Sequence, residues 1–113
     1  MVSDLWIAHK VERAAASATT YISTRPRHIR RSLRVDRIAA WNVTSIVATF
    51  LELGIKSGDE YIPLVNFAGN VAAGLIKSLD YPITIGPDQD IYAKFNDATG
   101  GDILHLVALG GYE

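Results

Sequence analysis

The sequence contains no cysteine and no long apolar run. The absence of cysteine excludes a disulfide framework and cysteine-ligated zinc, and it gives no support for secretion through an oxidising compartment. No window approaches the ~20 apolar residues that a membrane-spanning helix needs. Asp4 and Glu12 interrupt the apolar N-terminus, so it lacks the pattern of a signal peptide. We therefore expect a soluble protein without a membrane partner.

Catalytic signatures are also missing. The chain has no Gly-x-Ser-x-Gly turn and no cysteine nucleophile. Its three histidines, His9, His28 and His105, lack the spacing of metal ligands, and His105 alternates with apolar residues as a packed or interface histidine would. Gly-Asp pairs before several strands are better explained as turns than as calcium sites. We expect no enzymatic activity, no catalytic residue, no metal site and no cofactor.

The chain is the size of one domain, with an uneven distribution of charge. It has 113 residues, 49% of them hydrophobic and 20% charged, which is typical of a folded protein. Residues 1–37 hold eight basic against three acidic residues, a net charge of +5, and the remainder holds three against nine, a net charge of −6. This asymmetry of charge favours a basic segment that contacts an acidic partner.

Because alanine is abundant, we expect a core with few large side chains, such as Trp41, Phe50, Phe67, Tyr92 and Phe95.

The N-terminal quarter predicts a helix followed by an extended arm. Residues 2–18 predict a helix that Ser3 can cap, and their three consecutive alanines favour helical structure. Residues 19–24 are β-branched and aromatic, as in a strand, and Pro26 then interrupts regular structure. We place the domain boundary here, with residues 1–27 as an N-terminal helix and basic arm and residues 28–113 as the folded body.

The body predicts an all-β fold, a β-sandwich or jelly roll of about seven or eight antiparallel strands. In the predicted strand from Ile29 to Trp41, successive side chains point to opposite faces. One face would contain Leu33, Val35, Arg37, Ala39 and Trp41. Pro63 places its strand at an edge or a bulge. Residues 90–109 predict a central hairpin whose second strand is buried on both faces. The predicted strands are 29–41, 45–55, 60–67, 81–85 and the two of the hairpin, with 71–79 open between strand and helix.

Arginines are concentrated between residues 25 and 37, and arginine pairs bidentately with phosphate or carboxylate. No aromatic residue lies among them and no nucleic-acid-binding motif is present, so docking on protein is favoured over nucleic acid. The candidate partner-binding residues are Trp6, Arg25, Arg27, Arg30, Arg31 and Arg34.

Residues 38–113 resemble a known class of protein. A strand reading WNVTSIVATFLEL, a Gly-Asp turn, an IPL strand and the terminal segment IYAKFNDATGGDILHLVALGGYE are similar to the small β-sandwich accessory proteins of tailed-phage virions. These include head decoration, cement and head–tail or fibre attachment proteins. The resemblance implies a structural role in the virion after synthesis in the host cytoplasm, with the arm contacting a major capsid or connector protein. It also agrees with a homo-oligomer, for which we expect a trimer.

Two other functions stay open. A carbohydrate- or receptor-binding sandwich would use exposed aromatic residues, such as Tyr61, Tyr81 or Tyr92, as a stacking platform. A nucleic-acid-binding protein would use the arginines of residues 25–37, and its binding would weaken steeply with salt.

Overall fold

Nine antiparallel strands in two sheets make up the described part of the protein. The structure, a computed structural model, describes residues 5–13, 18–24, 33–42, 50–67, 76–80, 82–86, 88–98 and 101–112. Within these ranges every regular element is a strand, so the all-β prediction is confirmed. The strands are β1 (Leu5–Arg13), β2 (Ala18–Thr24), β3 (Leu33–Asn42), β4 (Phe50–Ser57), β5 (Glu60–Phe67), β6 (Lys77–Leu79), β7 (Ile83–Ile85), β8 (Gln89–Ala98) and β9 (Ile103–Tyr112).

The two sheets have different strand orders. The first sheet runs β1-β9-β3-β6, with β7 also paired to β3, and the second runs β2-β8-β4-β5. The short strands β6 and β7 pair with successive parts of β3, at residues 38–40 and 33–35. Together they act as one interrupted edge strand, broken near Pro82, which cannot donate a ladder hydrogen bond.

The core lies between the two sheets and consists mainly of aliphatic side chains. Alternate residues of each central strand point inward, as the two-residue period of a strand requires. Of the predicted core phenylalanines whose side chains are described, Phe95 is fully buried and Phe67 packs at the margin of the core, and the side chain of Phe50 lies outside the description. Tyr92 is fully buried, as predicted for a core residue, although it lies outside the main cluster, whereas Trp41 is only half-buried. The central core residues are Leu33, Val35, Ile38, Leu51, Leu53, Ile91, Phe95, Leu104 and Leu106.

Strand β1 replaces the predicted N-terminal helix. Leu5 pairs with Gly111 and Arg13 with Ile103, in one continuous antiparallel register along β9. The helix prediction is therefore wrong for residues 5–13. An isolated short helix is marginal, whereas antiparallel pairing with the long apolar strand β9 gives every second residue of β1 two backbone hydrogen bonds. The predicted boundary after residue 27 lies outside the described residues.

The predicted central hairpin is also wrong. β8 pairs with β2 and β4 in the second sheet, whereas β9 pairs with β1 and β3 in the first. The connection between them therefore crosses from one sheet to the other. Nor is β9 buried on both faces, because Leu104 and Leu106 face the core while Leu109 is exposed.

A β-bulge in β3 changes which side chains face the core. Its register against β9 shifts between Val35 and Arg37. Because the bulge adds one residue, inward positions pass from Leu33 and Val35 to Ile38 and Ala40. The predicted single face is therefore wrong beyond Val35, and Arg37 is exposed.

Candidate interaction surfaces

The predicted arginine cluster is described only in part. Arg25, Arg27, Arg30 and Arg31 lie outside the described residues. Arg34 lies on β3, half-buried, where its Nε donates to Asp36 Oδ1 at 2.9 Å and its Nη2 donates to Asp36 Oδ2 at 3.4 Å.

Arg37, the other arginine of β3, also forms an ion pair, and Trp6 lies on β1. Arg37 Nε donates to Asp80 Oδ1 at 2.7 Å, in an exposed ion pair. The two arginines of β3 are thus paired with carboxylates of their own chain, which reduces the positive charge they offer to a partner. Trp6 lies on β1 opposite Gly110, and its side chain is not among those described.

The outer surface of β1 and β9 exposes a group of apolar side chains, which we call the β1–β9 face. Ile7 is 74% exposed, Val11 46% and Leu109 38%. Ile7 and Leu109 are cross-strand partners, and half-buried Val107 lies one step along the same side of β9. A group of exposed aliphatic residues on one rigid sheet face is typical of an interaction surface.

The β1–β9 face also contains two histidines, because His9 lies between Ile7 and Val11 on β1 and His105 is the cross-strand partner of Val11. His9 Nε2 and His105 Nδ1 are 2.8 Å apart, within hydrogen-bond distance. Trp41 is the cross-strand partner of His105, and their rings are parallel to within 3° with centroids 4.8 Å apart. Burial, followed by the proximity of His9, lowers the pKa of His105, so its imidazole is neutral at neutral pH. Sequence reasoning missed this pair because 96 positions separate its members.

Three tyrosines form a cluster on the outer surface of the second sheet, which we call the tyrosine cluster. Tyr61 packs against Tyr21, with centroids 4.3 Å apart, and edge-on against Tyr92 at 4.8 Å. Tyr92 is fully buried beneath them and lies over Gly54, where an added Cβ would come within 2.9 Å of its ring. Its hydroxyl donates to Glu52 Oε2 at 2.6 Å, and burial together with this bond raises its pKa.

The two outer tyrosines are partly exposed and each lies near a lysine. Lys56 Nζ is 5.4 Å from the centroid of Tyr61, and Lys94 Nζ is 5.7 Å from that of Tyr21. Tyr81, predicted for a stacking platform, lies outside the described residues, and Tyr92 of the same prediction is buried. The accessible aromatic surface is therefore provided by Tyr61 and by Tyr21, which the sequence did not single out.

Comparisons with known proteins show no family for this chain. No family model matches the sequence, and no curated protein matches it either. Among solved structures, the chain is similar to one in the structure of infectious bursal disease virus Gx strain, at 13% sequence identity and a TM-score of 0.38. The match covers 99% of this chain but 36% of the other, so the chain spans about a third of that protein's length. A likeness this distant supports no conclusion about function.

The described residues contain neither a membrane-spanning helix nor a cluster of three metal-ligating side chains. In the ranges that the structure describes, no helix is long and apolar enough to cross a bilayer. Among the same residues, no group of three or more histidine, aspartate or glutamate side chains could hold a metal ion.

Proposed function

We propose that this protein is a non-enzymatic structural subunit of a virus particle, in the class of capsid decoration, cement or head–tail attachment proteins. It assembles with copies of itself, as a trimer, and docks on a major capsid or connector protein. Its place of action is the virion, after synthesis in the host cytoplasm. Residues 38–113 support the phage assignment through their resemblance to small accessory proteins of tailed-phage virions.

The observation that carries this proposal is the β1–β9 face. Ile7 and Val11 lie on a paired strand, so their positions are fixed by the sheet. Burying such side chains fully contributes about 1.5–3 kcal/mol each, which an isolated chain forgoes. An aliphatic surface on a rigid sheet resembles the apolar centre of homo-oligomer interfaces. It is therefore suited to contact another copy of the chain.

The strand order supports classing the sandwich as a jelly roll. The orders β1-β9-β3-β6 and β2-β8-β4-β5 place consecutive strands in opposite sheets at most connections. Double-sheet jelly rolls are common in viral capsid proteins and in lectins. Because one fold hosts many functions, this order supports the architecture and only the general class of role.

The arginines of residues 25–31 would provide the second contact, with the acidic surface of a capsid or connector protein. Arginine forms bidentate hydrogen bonds with carboxylates, and such contacts weaken with salt. Changing Arg25, Arg27, Arg30 and Arg31 together to Gln should abolish co-sedimentation with virus particles while self-assembly is retained. Loss of self-assembly in this variant would contradict the separation of the two contacts.

Self-assembly is tested by light scattering on the nuclease-treated protein. We expect a closed oligomer for the native chain and a monomer for Ile7→Lys/Val11→Lys, because each lysine would be buried without a partner. Ile76→Lys is the matched control, since Ile76 is 58% exposed and lies outside the β1–β9 face. Substitution is preferable to deleting residues 1–30, because that deletion would remove β1 and β2 from their sheets.

Two outcomes would contradict the assembly proposal. One is a native protein that stays monomeric over the whole concentration range and on particles. The other is a double variant that keeps the native mass while the circular dichroism spectrum shows that it is folded. Dissociation of Ile76→Lys to the same extent as the double variant would show that the effect is not specific to the β1–β9 face.

The tyrosine cluster favours a second candidate function, the binding of carbohydrate. Tyr21 and Tyr61 expose aromatic surface, and Lys56 and Lys94 beside them can donate hydrogen bonds to sugar hydroxyls. A glycan array should then show binding by the native chain and none by Tyr61→Ala. If the native protein binds no glycan on the array, carbohydrate binding is excluded as its function.

A further inference from the structure

We propose that His9 and His105 form a binding site for one divalent ion of the later first-row transition metals, Cu²⁺, Ni²⁺ or Zn²⁺. Both ligands come from a single chain and lie on the β1–β9 face, so the site is open to solvent in the chain before it assembles with other copies. Water would fill the remaining coordination positions on the exposed side.

The separation of the two ring nitrogens fits a shared metal ion. Imidazole nitrogen binds these metals at about 2.0–2.1 Å, so two nitrogens at a right angle lie roughly 2.8–3.0 Å apart. A tetrahedral angle requires about 3.3 Å. His9 Nε2 and His105 Nδ1 are 2.8 Å apart, which is the separation of cis ligands in a square-planar or octahedral site. Each ring must turn away from the line joining the two nitrogens, by about 45° for ligands at a right angle, before both lone pairs point at one ion in place of the hydrogen bond.

Proton balance also permits binding. In the hydrogen-bonded pair one of the two facing nitrogens carries a proton, and metal binding requires both to be free. That proton can leave to solvent while the other nitrogen of the same ring takes one up, so each imidazole stays neutral with one N–H.

The surroundings hold the pair in position and leave it accessible. Antiparallel pairing of β1 with β9 fixes both backbones, and the stacked Trp41 ring holds the plane of the His105 imidazole parallel to its own. His9 is exposed, so an ion can approach from solvent. Imidazole ligands suit copper, nickel and zinc, and copper should bind most tightly because the stability of divalent complexes peaks there.

Trp41 provides a native reporter for the test. Its ring centroid is 4.8 Å from that of His105, so a paramagnetic ion bound there should quench its fluorescence. Trp6→Phe removes the second tryptophan and serves as the background for all variants. We expect saturable, equimolar quenching by CuCl₂, weaker affinity for NiCl₂, and an electron paramagnetic resonance spectrum of copper with two nitrogen ligands.

Variants of single histidines decide whether the pair is the site. His9→Gln and His105→Gln should each weaken copper binding on the order of 100-fold, because the second ligand then no longer acts intramolecularly. His28→Gln is the matched control and should keep native affinity. Unchanged copper affinity in folded His9→Gln, or loss of affinity in His28→Gln, would overturn the proposal. His9 is exposed, so His9→Gln keeps the test valid even if His105→Gln does not fold.

Discussion

Gly110 occupies a point where β9 passes too close to β3 for any side chain. A Cβ at this position would overlap the carbonyl oxygen of Arg34 and lie 2.8 Å from the carbonyl carbon and 3.0 Å from the Cα of Val35. All three atoms belong to the backbone of β3, next to its bulge. No change of side-chain rotamer can relieve the overlap, so Gly110→Ala requires the two central strands of the first sheet to separate locally.

The expected cost follows from the atoms involved. Overpacking a core costs about 1–3 kcal/mol when side chains can adjust. Here the backbone of a central strand must move, so we expect a loss of about 3 kcal/mol or more in the free energy of unfolding. For a domain of this size that corresponds to a fall on the order of 10–15 °C in Tm.

Thermal and urea unfolding monitored by circular dichroism would measure this loss. The matched control is Gly86→Ala, because the nearest atom to an added Cβ there is Gln89 Oε1 at 3.7 Å. We expect the control to change stability by no more than about 0.5 kcal/mol. A Gly110→Ala protein within about 1 kcal/mol of the native chain would refute the close pairing of β3 and β9.

Three further predictions concern the buried side chains of Asn42 and Tyr92 and the half-buried side chain of His105. Asn42→Ala removes the 2.9 Å hydrogen bond from Nδ2 to buried Asp102 Oδ2, and urea unfolding should show a loss of about 2–3 kcal/mol. Tyr92→Phe removes the hydrogen bond to Glu52 and should cost about 1–2 kcal/mol. Because the pKa of Tyr92 is raised above its usual 10.0, native stability should fall as pH rises above about 10, and Tyr92→Phe should flatten that fall in unfolding measured against pH. Because the pKa of His105 is lowered, native stability should decrease as pH falls below about 6.5, and His105→Gln should decrease less over the same pH titration. If the free energy of unfolding changes with pH equally in the native protein and in a variant, the pKa shift assigned to the substituted residue is contradicted.

Local strand patterns were the part of the fold that sequence predicted well. β5 has the predicted bounds, and Pro63 lies on an edge strand next to a register shift, as its missing donor required. β2 (Ala18–Thr24) likewise covers the β-branched segment predicted at residues 19–24. These predictions depend on the chemistry of a few neighbouring residues, which the sequence contains directly.

Predictions that depend on distant pairing failed. The glycines before Asp102 suit a turn between two paired strands and also a connection between two sheets. In the structure they connect β8 in the second sheet to β9 in the first. Residues 5–13 suit either a helix or a strand by composition, and pairing with β9 determines the outcome. The bulge in β3 leaves no local signal, yet it reverses which residues of that strand face the core.

The candidate surfaces show the same limit. His9 and His105 come from the first and last strands, and the tyrosine cluster combines residues from β2, β5 and β8. Each residue alone resembles an ordinary surface or packed side chain. Their chemistry follows from strand order, which the sequence does not state.

The most direct test of the account is the solution mass of the intact protein across a range of concentrations. We expect a closed oligomer of fixed mass that becomes a folded monomer in Ile7→Lys/Val11→Lys and is unaffected in Ile76→Lys. A folded double variant with the native oligomeric mass would contradict the central claim, because the β1–β9 face would then not be the surface that joins the copies.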